Sequence, residues 1–185
     1  MRVKAPISAT GTSSSVNRRY HPGGFTLLEL VVVLALLALA AALVVPRLPS
    51  MQESRLRASA RQLSAQLRYL DERAVAGKIP YRLRVNLDEQ KIDVVRKNAI
   101  GEEVLPEDPF LLRSPLQEGI IVRDLRTERL GTISSGTVSI SYGPGGLSES
   151  LLIHLAIPGG SNITVQALPV SGIVRIAEGY LEEIR

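Results

Sequence analysis

Few side chains in this chain are equipped for chemistry, and most stand alone. The only histidines are His21 and His154, and there is no cysteine. A multi-histidine metal site, a thiolate zinc site, an iron–sulfur cluster and a cysteine nucleophile are therefore excluded. His154 lies in an apolar stretch and reads as a packed or surface strand residue rather than a general base. The glycine clusters are not followed by Gly-Lys-Ser/Thr, so they read as turns and not as phosphate cradles. No carboxylate pair has a recognisable chemical context, and Glu178, Glu182 and Glu183 are too loosely spaced for a calcium loop. The expectation is no catalytic residue, no metal and no cofactor. One carboxylate stands out. Glu29 sits inside an otherwise apolar run, where an ionised carboxyl costs roughly 2–3 kcal/mol near a bilayer centre and less near its edge. A charge kept there needs a partner.

The element that carries Glu29 is legible from hydropathy. Residues 30–45 are sixteen consecutive apolar residues, and residues 25–45 contain the single charge of Glu29. As a helix, 25–45 spans about 30 Å, one hydrocarbon thickness. It is apolar all round, unlike an amphipathic surface helix. A secretory signal with small residues at 40–42 and a plain anchor are the simple readings, and Glu29 argues against both. The preceding residues 1–24 are polar and basic, with Arg2, Lys4, Arg18 and Arg19 and no acid. They account for the whole formal charge of +4, because the remainder holds 18 basic and 18 acidic residues. Basic residues flank the apolar run on both sides, so the positive-inside rule does not fix its orientation.

Gly23-Gly24-Phe25-Thr26-Leu27-Leu28-Glu29, after a basic leader and before an unbroken apolar run, resembles the class III signal of type IV pilins and pseudopilins. The resemblance implies cleavage by prepilin peptidase between Gly24 and Phe25, N-methylation of Phe25, an assembly role for Glu29 and a helix kink at Pro46. The physics is compatible with each. Glycine lets a protease close on the backbone. The new Phe25 amine lies one helical turn from Glu29 and can compensate its charge, in the same subunit or the next one.

Helical signal resumes after Pro46 and Pro49. Leu56, Ala60, Leu63, Leu67, Leu70 and Ala74 form one apolar stripe, with arginines on the other side. Glu53–Arg57 and Arg68–Glu72 are expected i,i+4 pairs. Gly77 and Pro80 are expected to end the helix. The period then becomes two. Residues 81–87 and 91–96 read as a hairpin, 97–119 as a long proline-containing loop, and 120–125, 137–142, 151–157, 162–168 and 172–177 as short strands. Turns are expected at 143–146 and 158–160.

The fold expected is α+β: a long N-terminal helix, half transmembrane and half amphipathic, packed on a C-terminal antiparallel sheet. Its parts would be a cleaved leader at 1–24, a transmembrane helix at 25–45, an amphipathic continuation at 46–77 and a periplasmic β-rich domain at 78–185. The strand, glycine turn, strand and closing Gly-Ile-Val-Arg-Ile of residues 138–176 resemble the domain shared by minor pseudopilin H of type II secretion and the FimT-type minor pilins. That resemblance implies a structural, non-enzymatic subunit of a type II secretion pseudopilus. It would sit in the bacterial inner membrane by a single pass and work with prepilin peptidase, other pseudopilins, the inner-membrane secretion platform and the lipid bilayer. The alternative is a minor pilin of a type IV pilus that binds DNA during transformation. Nucleic acid is not the expected partner, because the charge after residue 24 is balanced. A local patch of Arg82, Arg84 and Arg96 is the place where DNA would bind if it did.

Overall fold

The computed structural model describes residues 25–44, 50–98, 100–169 and 171–183. The chain divides into two compact units, Met1–Leu48 and Pro49–Arg185.

In the first unit, helix α1 spans Leu27–Val44. The Thr26 hydroxyl accepts the backbone N–H of Glu29 at 3.1 Å, which caps the first turn. Every described side chain of α1 is exposed, from Leu27 at 81% to Val33 at 44%. Eighteen residues rise about 27 Å, slightly less than a hydrocarbon layer. Among the described residues no helix is long and apolar enough to cross a membrane. Gly24 and Pro46, together with the rest of 1–24 and 45–49, lie outside the described residues.

The second unit opens on helix α2, Met51–Gly77. It starts on its own signal. Ser50 accepts the N–H of Glu53 at 3.1 Å, and the Glu53 carboxylate accepts the N–H of Ser50 at 3.3 Å, a reciprocal capping box. Glu53 is thereby drawn away from Arg57, which pairs instead with Glu178 at 2.9 Å. Arg68 turns back to the Ser64 carbonyl and hydroxyl rather than to Glu72. Neither expected i,i+4 pair forms, because capping and tertiary partners are stronger than an exposed helical ion pair. The helix ends at Gly77, the last residue of the expected 46–77 stretch, and Lys78 takes the left-handed C-cap at φ 50°.

The remaining chain forms β1 (Tyr81–Asn86), β2 (Lys91–Lys97), β3 (Glu103–Val104), α3 (Pro109–Leu112), β4 (Ile121–Thr127), β5 (Gly131–Ile133), β6 (Thr137–Gly143), β7 (Gly146–Leu147), β8 (Leu151–Ala156), β9 (Asn162–Ala167) and β10 (Val174–Glu178). These strands form two antiparallel five-stranded sheets, ordered β3-β2-β1-β6-β7 and β10-β9-β8-β4-β5. The expected hairpin is β1–β2, in register from Tyr81 opposite Arg96 to Asn86 opposite Lys91. The segment 97–119 is not all loop. It adds the two-residue edge β3 and the short α3, whose cap is Asp108 followed by Pro109. Both are too short to leave a periodic signal.

Helix α2 packs against β6 and β7 of the first sheet and β8, β9 and β10 of the second. All six stripe residues are at most 1% exposed, with Ala60, Leu63 and Ala74 fully buried. Their stripe meets Leu83, Val85 and Ile140 from one sheet and Ile153, Leu155 and Val165 from the other in one core. The arginines between them stay outside, as the 3.6-residue period requires. Polar groups that face inward on α2 are satisfied by the 97–119 segment. Gln66 donates to the carbonyls of Phe110 and Arg113 at 2.9 and 2.7 Å, and Ser59 accepts the N–H of Gln117 at 2.9 Å. That segment is thus fastened to the helix by side chains whose partners lie more than forty residues away.

Candidate functional site

The residues singled out from sequence do not converge on a cleft. Phe25 is 81% exposed immediately before α1, and Glu29 lies in the first turn of that helix. An acidic side chain there complements the positive end of the helix dipole. Glu29 has no ion-pair partner among the described residues. Its backbone is held by Thr26, whose hydroxyl and carbonyl accept the N–H groups of Glu29 and Leu30, and Phe25 lies just outside the helix. What this arrangement can do chemically is narrow. It presents an extended apolar side chain, a main-chain nitrogen and one carboxylate on an uncovered apolar rod.

The three arginines of the β1–β2 patch are all neutralised. Arg82 bonds the Glu103 carboxylate, Arg84 lies 3.6 Å from Glu103 and 3.9 Å from Asp93, and Arg96 is 2.7 Å from Glu107. Lys91 also reaches Asp93 at 3.0 Å. Glu103 and Glu107 come from the segment read as loop, so the neutralisation could not be seen in strand periodicity. The acidic residues near the C terminus are likewise engaged, Glu178 with Arg57 and Glu182 with Arg126. No cluster of three or more metal-ligating side chains occurs among the described residues.

Sequence reasoning did not find two polar centres. The first is Asp71 on α2. Its Oδ1 accepts the N–H of Leu147 at 2.7 Å. A Cβ on Gly146, which has φ +85°, would lie 2.7 Å from Oδ1, and a Cβ on Gly172, at φ +61°, would lie 3.0 Å from Oδ2. The carboxylate is therefore wedged between a turn of one sheet and the β9–β10 connection of the other, and only glycine leaves it room. Beside it the Tyr142 hydroxyl is buried without a hydrogen-bond partner. Burial, then the Asp71 charge, hold that hydroxyl well above the ordinary tyrosine value. Gly146 is legible in sequence as a turn residue and Gly172 as the start of a strand, but nothing in their spacing points to Asp71.

The second centre is His154 on β8. Its Nδ1 lies 2.6 Å from the Asp124 carboxylate of β4, and its Nε2 lies 2.8 Å from the Leu181 carbonyl. The Tyr180 ring stacks on the imidazole, with centroids 4.0 Å apart and planes at 20°. His154 is 1% exposed and carries no nucleophile beside it, so it is a packed strand residue with a polar environment. A signal existed in Asp124, the one acid of a strand that also carries Arg123 and Arg126, but the register shift between Val122 and Asp124 hides its alignment with His154.

Three comparisons bear on these features. The N-terminal segment matches a family model, the prokaryotic N-terminal methylation motif, over residues 21–45. Two solved structures of the minor pseudopilin EpsH from the type II secretion system of Vibrio cholerae resemble the chain. One has 15% identity and a TM-score of 0.57, covering 70% of this chain and 98% of that one. The other has 19% identity and a TM-score of 0.50, covering 67% and 97%. No curated protein matches the chain. At this identity the structural likeness concerns the fold, and the motif concerns a separate stretch of sequence. The chain thus matches the methylation motif over residues 21–45, and its globular unit has a fold similar to that of a minor pseudopilin.

Proposed function

We propose that the protein is a minor pseudopilin, a structural and non-enzymatic subunit of the periplasmic pseudopilus of a type II secretion system. Prepilin peptidase cuts between Gly24 and Phe25 and methylates Phe25. The apolar helix that begins there holds the protein in the inner membrane by a single pass, with the globular unit in the periplasm. Glu29 then meets a Phe25 amine as the subunit leaves the bilayer for a filament of other pseudopilins, driven by the inner-membrane secretion platform. Pro46 bends the helix where it leaves the lipid.

The observation that carries this reading is the conjunction of the motif at 21–45 with an EpsH-like fold in the same chain. Either alone is weaker. The motif occurs on pilins of many kinds, and the fold alone says nothing of processing. The geometry of α1 supports the same reading, since an uncovered apolar helix with a single carboxylate in its first turn needs lipid or neighbouring helices around it. The DNA-binding alternative draws no support from Arg82, Arg84 and Arg96. A phosphate would have to displace Glu103, Asp93 or Glu107 at each one.

The test is the intact mass of the protein extracted from membranes. The expected product lacks residues 1–24 and carries one added methyl group. An N terminus near Ala42 would instead establish an ordinary secretory signal and overturn the reading. Gel-shift titration at physiological salt separates the alternative, for which submicromolar binding with a steep salt dependence is required.

A further inference from the structure

We propose that His154 fastens the C-terminal segment 179–183 to the outer face of the second sheet as a proton-dependent clasp.

The placement of the face follows from register. His154 pairs across the sheet with Asp124 on one side and Thr164 on the other, and Thr164 pairs with Ala177. These residues share one face, while Ile153 and Leu155 on either side of His154 point into the core. A row on the outward face of a sheet would ordinarily meet solvent. Yet His154 and Thr164 are at most 1% exposed and Asp124 is 6% exposed, because residues 179–181 lie over them. The segment starts on the Gly179 N–H, which donates to the Asn162 carbonyl at 2.8 Å, and further contacts hold it over the row. The Leu181 N–H donates to the Thr164 hydroxyl at 3.0 Å, and that hydroxyl donates to the Gly179 carbonyl at 2.8 Å. The Tyr180 ring stacks on His154, and the Leu181 carbonyl faces His154 Nε2.

The proton enters through the imidazole. Both ring nitrogens face oxygens within hydrogen-bond distance, a carboxylate at Nδ1 and a carbonyl at Nε2. The carbonyl can only accept, so Nε2 must carry a hydrogen. A neutral imidazole has one N–H, so the Nδ1 contact requires a second proton, shared between His154 and Asp124. When that proton leaves, the remaining N–H goes to the charged Asp124, the stronger acceptor. The Nε2 lone pair then faces the Leu181 carbonyl oxygen, and an attraction becomes a repulsion between two acceptors. The surrounding charges do not replace it. Arg123 lies 3.9 Å from the far oxygen of Asp124 and 5.2 Å over the Tyr180 ring, and Arg126 pairs with Glu182 one row away. The Tyr180 hydroxyl lies 3.4 Å from Asp124 and is held above the ordinary tyrosine value by burial and by that charge, so it stays protonated throughout. The clasp is therefore closed while the His154–Asp124 pair holds the second proton and opens once that proton is lost. It belongs to the globular unit and holds whichever filament the chain joins.

Amide exchange of the full-length chain in detergent, read by mass spectrometry and corrected for intrinsic rates, tests this from pH about 5 to about 8. Protection of the peptide that contains the Leu181 amide should fall by about tenfold or more as pH rises, while peptides of α2 keep theirs. His154→Gln can still donate a hydrogen bond but cannot titrate, and it should abolish that pH dependence. Should the variant not fold, the ring nitrogen shifts of the unmodified protein decide: two protonated nitrogens at the low end and one at the high end. Constant protection at Leu181 across the range, or a singly protonated ring at the low end, overturns the proposal.

Discussion

The first turn of α1 and the core around α2 hold their information in opposite ways. In the first, a few side chains at fixed spacing carry the signal. Phe25 is open, Glu29 has no ion-pair partner among the described residues, and the apolar surface behind them is uncovered. In the second, every residue is defined by what it packs against, and no short motif survives. The comparisons reflect this contrast: a motif match confined to 21–45, and a fold match at 15–19% identity over some two thirds of the chain. A core accepts many side-chain sets that keep volume and pattern, so its sequence drifts while its fold persists. A chemical signal read by an enzyme or a neighbouring subunit has no such freedom.

If that contrast is right, the largest effect should come from the smallest surface change. Glu29→Val removes a charge from an apolar helix, so membrane insertion and cleavage should be unaffected or improved. Cross-linking to other pseudopilins should be lost, because the Phe25 amine would have no buried counter-charge. Normal incorporation of this variant would break the comparison by leaving Glu29 without a role. The opposite substitution lies in the core. Leu63→Ala should destabilise the unit 49–185 by about 2–5 kcal/mol in denaturant unfolding, with cleavage at Gly24 unchanged.

A smaller effect is expected at the glycines that face Asp71. Gly146→Ala forces a left-handed backbone on alanine and drives its Cβ against Oδ1, and should cost about 1–3 kcal/mol. Adding Asp71→Ala to it should recover the part due to collision but not the part due to φ, which a double-mutant cycle separates. The smallest effect concerns acid stability. Tyr69 donates to Asp108, and that bond, followed by the Phe110 N–H, holds the Asp108 carboxyl below its usual value. A depressed carboxyl stabilises the fold above its unfolded value of about 3.9 and loses that contribution as pH falls through its lower folded value. Tyr69→Phe should therefore weaken the fold near neutral pH and flatten the acid limb of the stability curve below about pH 4. An acid limb identical to that of the unmodified protein would leave the bond without energetic weight.

Hydropathy and period alone determined much of this protein. The α1 run, the α2 stripe with all six of its core residues, the β1–β2 hairpin and the α+β order are local patterns, and each is set by where apolar side chains must go. The N-terminal resemblance was legible for the same reason, since its residues are contiguous. Tertiary structure decided the rest. The division of the strands into two sheets depends on pairings such as β1 with β6 and β4 with β8, which no local period encodes. The capture of Glu53 by Ser50 and of Arg57 by Glu178, the neutralised arginines of β1 and β2, and the seat of Asp71 between two glycines join positions far apart in the chain. The His154 clasp shows the limit most clearly. Sequence identified a histidine in a strand, but its charge partner depends on a register shift and its second partner on where the last residues lie. A hydrogen bond depends on distance and direction in space, and neither is written in the spacing of residues.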